Sequence, residues 1–119
     1  MADLTIAEVL TRAADLIEPE GAWTQGDTAR DADGKPLPNS TEPAAVCWCV
    51  LGAIGKTVGG ANRPMFSAAR KALRAVLPED IEQIDEDLPD EANWNDAPER
   101  TQAEVVAALR AAAEKARQS

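Results

Sequence analysis

The run Ala44–Ile54 reads AAVCWCVLGAI and carries no charge. A segment apolar on every side has no face to offer to water, so the fold must place it centrally, touched from several directions. Ser40 or Thr41 is positioned to cap a helix and Pro43 suits its first turn, so the spacing predicts a central helix over Ala44–Ile54. Gly52 in a helix interior costs about 1 kcal/mol relative to alanine. Its presence predicts that another backbone passes close by, with Ala45, Cys49 and Gly52 or Ala53 forming the contact line. Gly55, Gly59 and Gly60 end the element.

What surrounds this helix follows from composition and local grammar. A chain of 119 residues suits a single domain over 1–119, and 45% apolar with 28% charged residues is a core-forming composition. The apolar total leans on alanine, with Phe66, three tryptophans and no tyrosine, which favours packed helices over a β-sandwich. Thr5-Ile6-Ala7-Glu8 is a capping box, with Leu4 able to staple onto Val9. Ile6, Val9, Leu10, Ala13, Leu16 and Ile17 then form one apolar stripe up to Pro19. Asn62 or Arg63, followed by Pro64, opens another helix with Met65, Phe66, Ala69, Leu73, Val76 and Leu77 on its apolar side, stopped by Pro78. Thr101-Gln102-Ala103-Glu104 is a second capping box, starting a terminal helix on Val105, Ala108, Leu109, Ala112 and Ala116.

Between the first helix and the apolar run, residues 18–41 hold Pro19, Pro36, Pro38, Gly21, Gly26 and Gly34, too many breakers for a helix. Asp33-Gly34 is a turn signal, around which Thr28–Asp31 and Lys35–Leu37 can pair as a small hairpin with Pro36 on its edge. A connection this long stays ordered by burying something, and Trp23 is its expected anchor. The expected fold is therefore mainly α: a compact bundle of about four helices with one small β-hairpin and a radius of gyration of about 14 Å.

Charge narrows the function classes. Twelve basic residues stand against 21 acidic ones, a net of −9, so direct nucleic-acid binding is disfavoured. The acidity is local: Pro78–Glu99 carries −10, with no Lys or Arg, and the remainder of the chain is left at +1. Within it Glu79–Glu86 is expected to form a short helix anchored by Ile81, Ile84 and Leu88. The absence of histidine removes the usual general base and the commonest metal ligand. Cys47 and Cys49 lie on nearly opposite faces of a helix, against a disulfide, and two thiols in an apolar segment suit a reducing, cytoplasmic setting. Met1–Ile17 lacks the features of an export signal, and no stretch approaches a membrane span. Neither a cofactor nor a metal is expected.

Several constellations invite chemistry. Gly55-Lys56-Thr57 ends like a phosphate loop, but Val50 occupies the position of its first glycine. Asp31, Asp33 and Gly34 resemble a calcium loop whose first and last ligands would be Ala29 and Ser40, so a turn is the better account. The sharper cluster is Cys49 with Trp94, Asn95 and Asp96, a candidate ligand pocket or thiol nucleophile. Against it stand the absent base, a thiol inside an apolar run, and the habit of Asn and Asp of bonding turn backbone while a neighbouring Trp fills the core.

Gly21-Ala22-Trp23-Thr24-Gln25-Gly26, Trp48-Cys49-Val50-Leu51-Gly52-Ala53 and Trp94-Asn95-Asp96-Ala97-Pro98 followed by Arg100-Thr101-Gln102 form a recognisable set. Together they resemble a family of small bacterial and phage proteins of unknown function, marked by a W-C-x-x-G-A helix and a W-N-D turn leading into a T-[HQ]-x-E-V helix. The resemblance implies bacterial or phage origin and supplies no activity. Relatives with histidine at the position of Gln102 make a Cys49-with-base chemistry weaker here. It also implies that Trp23, Trp48, Cys49, Gly52, Trp94, Asn95 and Asp96 are shared framework.

The functional expectation is a non-enzymatic cytoplasmic binding protein that meets a basic protein surface through Glu79, Asp80, Glu82, Asp85, Glu86, Asp87, Asp90 and Glu91. A phage-encoded inhibitor of a host nucleic-acid-handling or defence system is its extension. The alternative is a small-ligand or hydrolase-like protein with its site at Cys49, Trp94, Asn95 and Asp96.

Overall fold

In the computed structural model, residues 4–59 and 62–118 are described; Gly60 lies outside them. Five helices, α1 (Ile6–Ile17), α2 (Val50–Val58), α3 (Arg63–Arg74), α4 (Asp90–Asp96) and α5 (Gln102–Arg117), accompany two short strands, β1 (Ala29–Arg30) and β2 (Cys47–Trp48). Both capping boxes form: Thr5 Oγ1 accepts from the Glu8 amide at 3.1 Å, and Thr101 Oγ1 from that of Glu104 at 3.2 Å. In each, the glutamate reaches back to the cap amide. Asn62 caps α3 through Met65 N–H at 3.1 Å.

The helices close on one core. Val9, Leu10, Ala13 and Ile17 of α1, Val50, Ala53 and Ile54 of α2, Ala69 and Leu73 of α3, Trp94 of α4 and Val105, Leu109 and Ala112 of α5 are all buried in it. Alanines on α1 and α5 let these two helices pack along their length, the most extensive helix pair of the fold. The radius of gyration is 13.2 Å.

Beyond the helix count, five where about four were expected, three expectations are corrected. The central helix begins at Val50 and not at Ala44, because the preceding backbone is already engaged: Val46 N–H donates to Arg30 O, Trp48 N–H to Ala22 O and Cys49 N–H to Thr28 O, at 2.9 to 3.1 Å. Residues 46–49 are thereby held extended, and tertiary pairing overrides the helical pattern. Neither Ser40 nor Thr41 caps it; Cys49 does, with Sγ accepting from Gly52 N–H at 3.3 Å.

The expected hairpin is present only as one bridge, Arg30 with Pro36. The regular partner of β1 is β2, antiparallel, with Ala29 opposite Trp48 and Arg30 opposite Cys47.

The acidic segment makes no helix over Glu79–Glu86, and of its three aliphatic anchors only Ile81 packs on the core. Ile84 and Leu88 stand 49% and 38% exposed. Like charges without interleaved cations disfavour a helix there; the helix forms later, as α4, through the residues expected to be a turn.

The close approach at Gly52 is real. A Cβ on Gly52 would lie 2.1 Å from the carbonyl oxygen of Thr28, the same oxygen that accepts from Cys49 N–H. Only a glycine lets α2 start against the 28–30 backbone.

Candidate functional site

The end of α4 is where the long 18–41 connection, the start of α2 and the acidic segment meet. Its amides explain why. Asn95, fully buried, accepts on Oδ1 from Trp23 Nε1 at 2.7 Å and from Val50 N–H at 3.0 Å. Its Nδ2 donates to Thr24 O at 3.1 Å and to Asp96 Oδ1 at 3.0 Å. Asp96 Oδ1 also accepts from Gly26 N–H at 2.9 Å, while Gln25 Nε2 donates to the carbonyls of Asn95 and Ala97. Four bonds on one buried side chain satisfy its whole capacity for structural purposes.

Asn93 plays the same part for the acidic segment. Its Oδ1 accepts from Asp85 N–H at 2.9 Å, and its Nδ2 lies within bonding distance of the carbonyls of Asp85 and Leu88. Asp85 Oδ1 in turn accepts from Asp87 N–H at 2.9 Å. A buried amide, rather than a helix of its own, therefore shapes the loop. Trp94 fills the core beneath, with the Arg100 guanidinium 4.3 Å above its ring and Arg100 Nε on the Trp94 carbonyl.

The four residues Cys49, Trp94, Asn95 and Asp96 are thus brought together in space but not into one pocket. Cys49 and Asp96 line a cleft of about 320 Å³ with Asp27, Leu51, Leu88 and Ala92. Trp94 lines a different one of about 240 Å³ beside Arg100, and Asn95 is sealed between. Burial pushes the Cys49 thiol up, opposed by its bond from Gly52 N–H, and the neighbouring Asp96 carboxylate raises it further. A thiol so placed is held protonated, the opposite of an activated nucleophile. Cys47 and Cys49 are both free, Cys47 half-buried by the Arg30 carbonyl. Among the described residues no three His, Cys, Asp or Glu side chains are grouped to hold a metal ion.

The eight acidic candidates divide in two. Glu91 is buried and its carboxylate meets Arg70 Nε at 2.6 Å. Asp90 meets Arg74 Nε at 3.1 Å, and its carboxyl is held below the usual range by the bond from Gln83 and by Arg74. Glu91 is thus withdrawn from any partner surface, because the first turn of α4 folds back onto the arginines of α3. Glu79, Asp80, Glu82, Asp85, Glu86 and Asp87 stay exposed, and among the described residues none forms an ion pair.

Two residues that hold this region together went unassigned in sequence. Gln25 ties the loop to α4, and Gln102 Nε2 donates to the carbonyls of Ile17 and Pro19 at 2.7 Å, closing the end of α1. Only their place inside quoted motifs, next to Gly26 and Thr101, marked them.

The profile of a family of unknown function matches residues 1–115. The chain belongs to that family, DUF6197. Membership in DUF6197 accounts for nearly the whole chain and assigns no chemistry to it. No curated protein and no solved structure matches this DUF6197 chain. No helix among the described residues is long and apolar enough to cross a membrane.

Proposed function

We propose that this DUF6197 chain is a non-enzymatic binding protein that engages a basic protein surface through the exposed carboxylates Glu79, Asp80, Glu82, Asp85, Glu86 and Asp87. The observation that carries it is the contrast within one segment: Asp90 and Glu91 are met by arginines of α3, while the six before them are met by none among the described residues. Six uncompensated charges on one loop project a field that attracts a cationic partner and repels nucleic acid. The loop is also preshaped by Asn93, which lowers the ordering cost on binding. The extension to an inhibitor that occupies the cationic groove of a nucleic-acid-handling system rests on the charge of this face. The alternative, a small-ligand or hydrolase-like site at Cys49, Trp94, Asn95 and Asp96, has less support: its amide is fully bonded within the fold and its thiol is held protonated.

The test is capture of partners from a host lysate at low and high salt, with the native chain beside a variant carrying D85N, E86Q and D87N. A basic protein retained at low salt, released by salt and lost with the variant is the expected result. Capture indifferent to both would remove the proposal.

A further inference from the structure

Three large apolar side chains stand exposed among the described residues, Val46, Ile84 and Leu88, and two of them belong to the acidic loop. A lone exposed aliphatic needs no account, but this loop is ordered with both side chains outside. Asn93 Nδ2 lies within bonding distance of Gln83 Oε1 and of the carbonyls of Asp85 and Leu88. The residues on either side of Ile84, and Leu88 itself, are thus drawn round one buried amide. The result is a fixed face, aliphatic at Ile84 and Leu88 and acidic at Asp85, Glu86 and Asp87 between them.

Its counterpart is a groove of about 670 Å³, to which three mutually packed helices each give about one turn. Ile6 begins α1, Ala72 and Ala75 stand one turn apart at the end of α3, and Ala112 and Ala116 one turn apart at the end of α5. Side chains no larger than a methyl on two of the three helices leave the space open and its lining apolar. The exposed Lys115 and Arg117 complete it. Thr11 Oγ1 positions the Arg117 guanidinium at 2.9 Å, and the pair of Arg117 with Glu114 is open to water, 51% and 62% exposed, so it holds the cation weakly.

We propose that the chain associates with itself, Ile84 and Leu88 of one copy entering the alanine-lined groove of a second, with Asp85, Glu86 and Asp87 against its Lys115 and Arg117. The two surfaces are opposite in charge and alike in their apolar part, and outside Pro78–Glu99 the chain sums to +1, so the loop meets a body without net like charge. Groove against groove would oppose the same cations, and loop against loop the same carboxylates, which disfavours a symmetric contact through either face alone. The inference goes beyond the acidic-face reading while using the same loop. A loop seated in a second copy is withdrawn from a basic partner, so the two contacts compete. One loop in one groove is a small interface, and the association is accordingly weak and concentration-dependent.

Sedimentation of the purified chain from micromolar to millimolar concentration tests this at about 0.15 M salt, where charges more than about 8 Å apart are screened and the −9 net charge of whole copies matters little. The mass is expected to rise above 12.6 kDa with concentration. Ala75→Glu puts bulk and negative charge into the groove at an exposed position, and Ile84→Ser with Leu88→Ser strips the loop of its aliphatics without changing its charge. Each variant is expected to weaken self-association by about tenfold or more while keeping the native circular dichroism. Mixed together, the two should recover a one-to-one complex, since each supplies the surface that the other lacks. A chain that stays at 12.6 kDa throughout, association that survives either variant, or a mixture that recovers nothing would overturn the proposal. Salt-sensitive capture of a basic protein by a chain that stays monomeric would leave the acidic-face reading standing and remove self-association. Self-association with recovery in the mixture, but no captured partner, would do the reverse.

Discussion

The carbonyl oxygen of Thr28 occupies the place where residue 52 would carry its Cβ, 2.1 Å away. Since that oxygen also accepts the Cys49 amide, it cannot retreat without opening the junction of β2 and α2. Gly52→Ala is therefore expected to cost about 3 kcal/mol despite the better helix propensity of alanine. Gly55 is the control. Its Cβ would meet Ser40 Oγ at 2.7 Å, a small side chain that can turn aside, so Gly55→Ala should cost about 1 kcal/mol or less. Urea unfolding of the two variants checks the contrast; equal losses would mean that the Thr28 carbonyl yields.

What was legible in the sequence and what was not divides along the range of the interactions. α1, α3 and α5 were legible because Thr5, Asn62 and Thr101 cap their own helices within three residues. Gly52 announced the Thr28 contact through its cost alone. The start of α2 was hidden, since the bonds that hold Val46, Trp48 and Cys49 extended come from Arg30, Ala22 and Thr28, far back in the chain. In sequence α4 looks like a turn because Asn95 and Asp96 are turn-prone; the amides of Asn93 and Asn95 instead hold distant backbone. Pro89-Asp90-Glu91, a proline before two acids, was the start signal available for it. The exposure of the acidic residues followed from charge, whereas the missing helix over Glu79–Glu86 and the burial of Glu91 depend on Asn93 and Arg70 being placed beside them.

Replacing Asn95 by aspartate tests its role as a donor. The variant keeps the Oδ1 that serves Trp23 and Val50 but turns Nδ2, which bonds Thr24 O and Asp96 Oδ1, into an oxygen facing two acceptors. Burial and the Asp96 charge then raise the folded pKa of the new carboxyl above its unfolded value of about 3.9. Such a group is least harmful below the unfolded pKa, and stability is lost as pH rises through the folded one. Asn95→Asp should thus cost about 3 kcal/mol near pH 7 and much less near pH 4. Denaturation midpoints across that range decide it; a deficit independent of pH would contradict the donor role.

The Arg70–Glu91 pair is lopsided, with the arginine side chain 41% exposed and the glutamate 5%. Removing the arginine strands a buried carboxylate, while neutralising the glutamate leaves a guanidinium that water can reach. Arg70→Ala should therefore cost about 2 kcal/mol and Glu91→Gln about 1, both discounted for the solvent screening of the arginine. The reverse order in thermal or urea unfolding would place the buried charge elsewhere.

The thiols supply a test that needs no partner. Cys47 is half-buried and Cys49 buried, so one equivalent of a maleimide should react readily and the second only on unfolding. Alkaline pH reports on the same residue, because burial raises the Cys49 thiol above its unfolded value. Between the two values the unfolded chain has released a proton that the folded chain still holds, so stability falls as pH rises from the ordinary thiol range towards the folded pKa. Cys49→Ser retains an N-cap acceptor for Gly52 N–H, and a hydroxyl is a stronger one, but it does not titrate there. The variant should show a flatter loss of stability above about pH 8.5 than the native chain. An unchanged slope, or fast labelling of both thiols in the folded protein, would show Cys49 to be open to solvent and would return it to consideration as a reactive group.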